Sequence, residues 1–267
     1  MRFYLSYFKL RFITSLQYRK AALAGIATQL FFGLVYIMVY LAFYESSSSN
    51  GPMEINELVS YLWLNQALFA LTYMFYKDDE IFNMIKNGNI AYELLRPKKI
   101  YFMWFSKIIA QRLSNVTLRF LPVIIVAFLL PYPYGLSLPA SPLSFVMFLI
   151  TLFVGVLLMT SINTLYHVLT LSTLNEKGVT NIFMAVADIL SGGVIPIPFF
   201  PAFLQVVANI LPFRYVSDLS FRLYSGNIGI TDGLQQMLIQ IVWFIIIVLI
   251  GVIVLKKSLK KVVIQGG

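Results

Sequence analysis

The sequence predicts an all-α polytopic membrane protein with six transmembrane helices and both termini on the cytoplasmic side. Three observations carry that expectation. First, 59% of the 267 residues are hydrophobic and only 12% are charged, against about 25% charged in a soluble domain. That composition excludes a water-soluble globule, and its hydrophobicity excludes disorder. Second, six apolar stretches approach the roughly 20 residues that a helix needs to cross a bilayer core. Third, the basic residues are segregated along the chain. Of the 20 Lys and Arg, 16 fall in the N-terminal segment, the 77–107 loop, Lys177 and the C-terminal tail. The loops Glu45–Glu57 and Pro131–Ser141 hold none. This is the positive-inside pattern. The net charge of +9 is thus a topology signal, helped by anionic lipid headgroups. The bilayer is the expected partner and nucleic acid is not.

Taken in order, residues 1–20 read as an interfacial helix. Arg2, Ser6, Lys9, Gln17 and Lys20 share one arc of the helical wheel, with Leu5, Phe8, Phe12 and Leu16 clustered beside it. The first span, Ala21–Tyr44, follows five basic residues and reads as an uncleaved signal-anchor, because its small residues sit at the wrong end for cleavage. The second span, Leu58–Tyr76, carries Asn65 and Gln66. The third, Ile108–Leu130, is interrupted by Arg112, Arg119 and Pro122. The fourth, Leu143–Leu165, is apolar until Asn163. The fifth, Val179–Ile195, is short and holds Asp188 and Gly192–Gly193. The sixth, Met237–Leu255, is the most uniformly aliphatic.

Two segments outside the spans carry structure of their own. In the loop 77–107, Asp78, Asp79 and Glu80 gather where a helix would start and Lys86 lies near its end, as the helix dipole favours. Gly88 is the expected stop. Ile81, Met84 and Ile85 form an apolar strip, and a second short piece from Ile90 ends at Arg96, before Pro97. This is either a docking element for another protein or a loop helix that covers the bundle. Between the fifth and sixth spans, Pro196, Pro198 and Pro201 end any regular helix. The apolar stretches that follow predict an extracellular re-entrant helical hairpin over 196–234, because irregular backbone at membrane depth must be buried in protein or line a cavity.

Polar residues inside the spans have two readings each. Arg119 lies about 17 Å of helix from the outer end of its span, where an unpaired arginine costs about 2.5–3.5 kcal/mol. Asp188 has a similar depth, so an Arg119–Asp188 ion pair is the candidate, either as a moving element or as a static bridge, with two solvated groups in a cavity as the alternative. Asn65, Gln66, Asn163 and Ser191 either contact a transported substrate or hydrogen-bond between helices. Phe199, Phe200 and Phe203 form either an outer gate or plain packing. His167 is the sole histidine and cysteine is absent, so no metal site is expected; His167 reads as an interfacial hydrogen-bonding residue.

The run Ile85-Lys-Asn-Gly88-Asn-Ile-Ala-Tyr-Glu-Leu-Leu95-Arg96-Pro97 resembles the signature of permease subunits of ABC-2 type exporters. Ser191-Gly-Gly-Val-Ile-Pro196-Ile-Pro198-Phe-Phe-Pro201, Leu211-Pro-Phe-Arg-Tyr215 and Tyr224-Ser-Gly226 resemble that family's outer hairpin. With the six-helix topology, the resemblance spans 1–267 as a single transmembrane domain. It implies a permease at the cell membrane that exports a hydrophobic or amphipathic substrate (drug, peptide or lipid-like). It also implies a second permease subunit, identical or homologous, and an ABC ATPase subunit that holds the ATP and Mg. The loop helix then becomes the coupling helix, with Glu80, Ile81, Met84, Ile85, Gly88, Tyr92, Glu93 and Arg96 as coupling residues. Helices two and five line the path, with Asn65, Gln66, Phe69, Asn163 and Ser191 as path residues. Pro196, Pro198, Phe199 and Phe200 form the outer gate. The chain has no phosphate-binding G-x-x-x-x-G-K-[ST] motif, so no cofactor or ATPase activity is expected in it. The rival readings are a membrane scaffold or sensor subunit, or a membrane-embedded enzyme, for which no clustered His, Glu, Asp or Ser constellation speaks.

Overall fold

The computed structural model describes residues 2–17, 19–46, 51–74, 77–90, 93, 95, 98–173 and 185–260. Among these, every regular element is helical. In chain order they are α1 (Arg2–Ser15), α2 (Arg19–Ser46), α3 (Ile55–Ala67), α4 (Phe69–Thr72) and α5 (Asp79–Lys86). There follow α6 (Ile100–Leu129), α7 (Pro142–Thr173), α8 (Ala202–Ile210), α9 (Asp218–Ser225) and α10 (Ile230–Leu259). Short 3-10 turns at Ile197–Phe199 and Phe213–Val216 flank α8.

Four helical stretches are long and apolar enough to cross a membrane: Ala22–Ser46, Ile100–Leu129, Pro142–Leu171 and Ile230–Leu259. They answer to the first, third, fourth and sixth expected spans. The third begins eight residues before the expected Ile108, because Tyr101, Met103 and Trp104 are buried and Lys107 is paired, so nothing stops the helix there. Pro122 stays within it.

The second expected span differs in kind. It starts at Ile55, where Glu54 and Glu57 form a capping box, breaks at Leu68, and finishes as the single turn α4. Ten consecutive residues of α3, Leu58–Ala67, are buried, so this helix is the axis of the bundle. Of the fifth expected span, residues 185–190 are helical and 191–195 form a turn; its first part, 179–184, lies outside the described residues.

Among the described residues the long helices converge on three cores. The largest joins α3, α6 and α9 to the inward face of α2. Another packs Leu158, Met159 and Ile162 of α7 on Ala208 of α8, Leu219 and Leu223 of α9 and Ile247 of α10. The third packs Ile81 and Ile85 of α5 on Tyr101, Trp104 and Ile108 of α6, Val168 and Leu171 of α7 and Leu255 of α10. This third core marks the basic end of the bundle. There α1 runs along the start of α6: Tyr4 stacks edge-on against Phe102 and its hydroxyl accepts from the Lys99 N–H at 3.1 Å. The face of α1 turned inward carries Phe3, Tyr4, Tyr7, Phe8, Arg11 and Phe12. Leu5, grouped by the wheel with the apolar arc, is instead 71% exposed, because the aromatic rings and not the aliphatic arc fit the α6 surface.

Candidate functional site

At the basic end the expected helix start and stop are both built. Asp78 caps α5, its Oδ1 accepting from the Ile81 N–H at 3.0 Å. Gly88 follows the C-cap with φ +71°, a left-handed conformation that glycine adopts without the penalty of a Cβ. Ile81 and Ile85 face the bundle, and Met84 is partly buried. Their apolar strip therefore anchors α5 to the bundle, with Met84 left partly exposed. The face left exposed is polar: Asp79, Glu80, Asn83, Lys86, Asn87 and Gly88. Glu93 is buried; Tyr92 and Arg96 lie outside the described residues.

A continuous polar chain runs inward from this face. Arg11 of α1 grips Glu80 with both terminal nitrogens, at 2.8 and 2.6 Å, the two-pronged geometry that suits a guanidinium and a carboxylate. Lys107 of α6, only 1% exposed, reaches Glu80 at 2.8 Å and Asp78 at 2.7 Å. A buried ammonium is tolerable because two carboxylates meet it. Burial alone would push the Glu80 carboxyl up; hydrogen bonds and charges from Arg11 and Lys107 outweigh that and hold it below its ordinary value. The Asp78 N–H then donates to His167 Nε2 of α7 at 3.2 Å, while His167 Nδ1 meets the Asn163 carbonyl at 2.7 Å. An amide N–H can only donate and a carbonyl can only accept, so His167 is held as the neutral Nδ1–H tautomer.

Asn163 Oδ1 in turn accepts from Arg112 of α6. The same guanidinium donates to the carbonyls of Ala70 (3.3 Å), Leu71 (2.8 Å) and Tyr73 (2.9 Å). Those carbonyls end α4, where backbone acceptors lack helical partners, and a cation suits a helix C-terminus. The chain thus links α1, α5, α6, α7 and α4 through Arg11, Glu80, Lys107, Asp78, His167, Asn163 and Arg112.

At the opposite end α3 holds the broken segment. Tyr61 Oη lies 3.0 Å from the Gly192 carbonyl and 3.1 Å from Asp218 Oδ1, and Asn65 donates to the Gly193 carbonyl at 2.6 Å. Gly192 has φ +79°, and a Cβ there would stand 2.7 Å from Tyr61 Oη. Asp218 is fully buried between Arg214 at 3.6 Å and Arg222 at 3.7 Å. Ser191 Oγ donates to the Asp188 carbonyl at 2.8 Å. Phe199 packs on Tyr40, Phe43 and Tyr44 of α2 with centroids 5.0–6.5 Å away. Pro196 precedes the 3-10 turn that includes Pro198, and Phe200 is buried, whereas Phe203 is 72% exposed.

The path residues do not line one open route within the chain. Asn65, Asn163 and Ser191 are buried and spent on hydrogen bonds, Gln66 is buried, and Phe69 stacks on Tyr73. Nor do Arg119 and Asp188 form the candidate pair; among the described residues no ion pair joins them. The Arg119 guanidinium lies against Gly25 of α2 instead. Helical side chains lean toward the helix N-terminus, and Arg119 snorkels that way, toward the basic end. Asp188 sits beside the Gly192–Gly193 break, with Oδ1 about 4.0 Å from where a Gly193 Cβ would be.

Lys107, Asp78 and Arg11 were not among the residues expected to form a site. Lys107 and Arg11 belong to the charge asymmetry and Asp78 to a helix start, so their other roles are hidden in sequence. Arg112 had a signal: a basic residue in an apolar span requires a partner.

The family model described as "ABC-2 family transporter protein" matches residues 26–266. The chain belongs to the ABC-2 transporter family. It is a multi-pass membrane component, and the family's membrane component carries no ATPase of its own. The family normally works with an ATPase subunit. No curated protein and no solved structure gives a significant match.

Proposed function

We propose that this ABC-2 family protein is the transmembrane permease subunit of an ATP-driven exporter at the cell membrane, with six spans and both termini cytoplasmic. In this reading α5 is the coupling helix. Its exposed polar face meets a separate ATPase that holds ATP and Mg, and its buried face is tied to the bundle. The observation that carries the proposal is the polar chain from Arg11 and Glu80 to Arg112. A displacement of α5 by a partner is transmitted through a buried charge pair to α6, and through hydrogen bonds to α7 and to the end of α4, which continues the central helix. The segment 191–225 is the extracellular re-entrant region in this reading, and Pro196, Pro198, Phe199 and Phe200 close the outer side over α2. A second permease subunit, identical or homologous, completes the path, and the cargo is hydrophobic or amphipathic.

The test is purification of the full chain from its native membranes in mild detergent. The expected result is a co-purifying P-loop ATPase whose ATP turnover depends on Mg. Recovery of the chain with no ATPase, across several mild detergents, contradicts the proposal and favours a scaffold or sensor role.

A further inference from the structure

Among the described residues the basic groups buried in the bundle are matched with one exception. Lys107, Arg112 and Arg214 all have hydrogen-bonding or charged partners. Arg119 has no hydrogen bond or ion pair among the described residues, and its Nε is buried without an acceptor. Its guanidinium fills the space that a side chain at Gly25 would take, with three of its atoms 2.6–2.8 Å from the position of a Cβ. One turn further along α2, on the same face, stands Gln29. That side chain is 4% exposed, and neither its amide nitrogen nor its amide oxygen has a partner. Two unsatisfied donors of this kind are costly to bury, and here one lies against Gly25 and the other one turn along the same face of α2.

We propose that Arg119 and Gln29 form a binding site for the phosphate group of a phospholipid. The donor set fits an oxyanion: a guanidinium fork matches phosphate oxygens in pairs, and the amide adds an N–H from the neighbouring turn. The height fits a headgroup. Gly25 lies only about 9 Å along α2 from Arg19, at the basic end where anionic lipid is attracted. The surroundings fit acyl chains, because the same stretch of α2 presents Leu23, Phe31 and Phe32 outward. Glycine at position 25 keeps the seat open; any larger residue pushes the guanidinium aside. The site rests on the protein's being a multi-pass membrane protein and not on transport.

The test uses the full chain in detergent, with native mass spectrometry and thermal unfolding as readouts. The probes are a short-chain phosphatidylglycerol, a short-chain phosphatidylcholine and inorganic phosphate. Both phospholipids are expected to bind, the glycerol form more tightly, and to raise Tm. Arg119→Gln is expected to weaken binding at least tenfold and to remove the Tm shift; Gln29→Leu weakens it less. Binding to Arg119→Gln within twofold of the parent protein overturns the proposal. Equal protection by inorganic phosphate overturns the lipid as the source of the group. Should Arg119→Gln fail to fold, Gln29→Leu and Gly25→Ala decide, and unchanged lipid binding by both is a refutation. None of these readouts involves ATP, so failure here leaves the permease reading untouched, and the reverse also holds.

Discussion

At the basic end, α5 is attached by a chain of charges that begins on an exposed pair, Arg11 and Glu80, and runs inward through Lys107 and Asp78. At the opposite end, the broken segment is attached by Tyr61 and Asn65 to two glycine carbonyls and by Asp218 to two arginines, with Tyr61 and Asp218 wholly buried. The first arrangement has one end open to whatever touches α5, and its links are side-chain charges that can be pulled or neutralised. The second is centred on wholly buried groups and meets solvent only at its rim, where Arg222 passes to Asn227 and Glu57. The difference separates a handle from a clasp: the first offers an exposed charge pair on α5 to a partner, the second holds a backbone break in place.

Substitutions at each end sharpen this contrast. The largest effect is expected for Lys107→Met, which leaves Asp78 buried without its cation. Breaking one side of a buried pair costs about 3–5 kcal/mol, so Tm in detergent should fall steeply; a change within error breaks the account of the basic end. Next comes Tyr61→Phe, which deprives the Gly192 carbonyl and Asp218 of a shared hydroxyl. About 1–3 kcal/mol is expected, measured by thermal unfolding, with ATPase capture retained because the clasp lies at the opposite end from α5. Gly192→Ala follows, at about 1–2 kcal/mol for a left-handed backbone, with the contact to Tyr61 added. Equal stability there means that the break is not held as described.

The smallest effect is a pH dependence at the handle. Glu80 is held below its ordinary carboxyl value of 4.5 by Arg11 and Lys107. A carboxyl lowered on folding contributes stability at pH above that ordinary value and loses it as pH falls through the folded value. Acidification below about pH 4.5 should therefore loosen α1 from α5. Hydrogen exchange in α1 measures it, and Glu80→Gln should show the looser exchange already at neutral pH.

Much of the architecture was legible in sequence because membrane spans are set by composition and length. The helix α5 was legible residue by residue: Asp78–Glu80 mark its start and Gly88 its end through local capping chemistry. What sequence concealed was long-range. Lys107 and Asp78 are 29 positions apart, and each had a sufficient local explanation, one as a topology charge and one as a cap. The break at Leu68 was invisible because its stabiliser, Arg112, lies some forty positions away in another helix. The candidate Arg119–Asp188 pair came from equal depth along separate helices, and depth says nothing of which way a long side chain leans. The apolar strip of α5 is a face, as its spacing predicts, and its burial leaves the polar side as the one a partner can reach.

That last point gives the most direct test. The chain has no cysteine, so single introduced cysteines report cleanly. In native membranes, Asn83→Cys and Lys86→Cys on the exposed face of α5 should cross-link to a P-loop ATPase, and Ile85→Cys on its buried face should not. Absence of an ATPase cross-link from both exposed positions, or an equal one from Ile85→Cys, contradicts the assignment of α5 as the coupling helix.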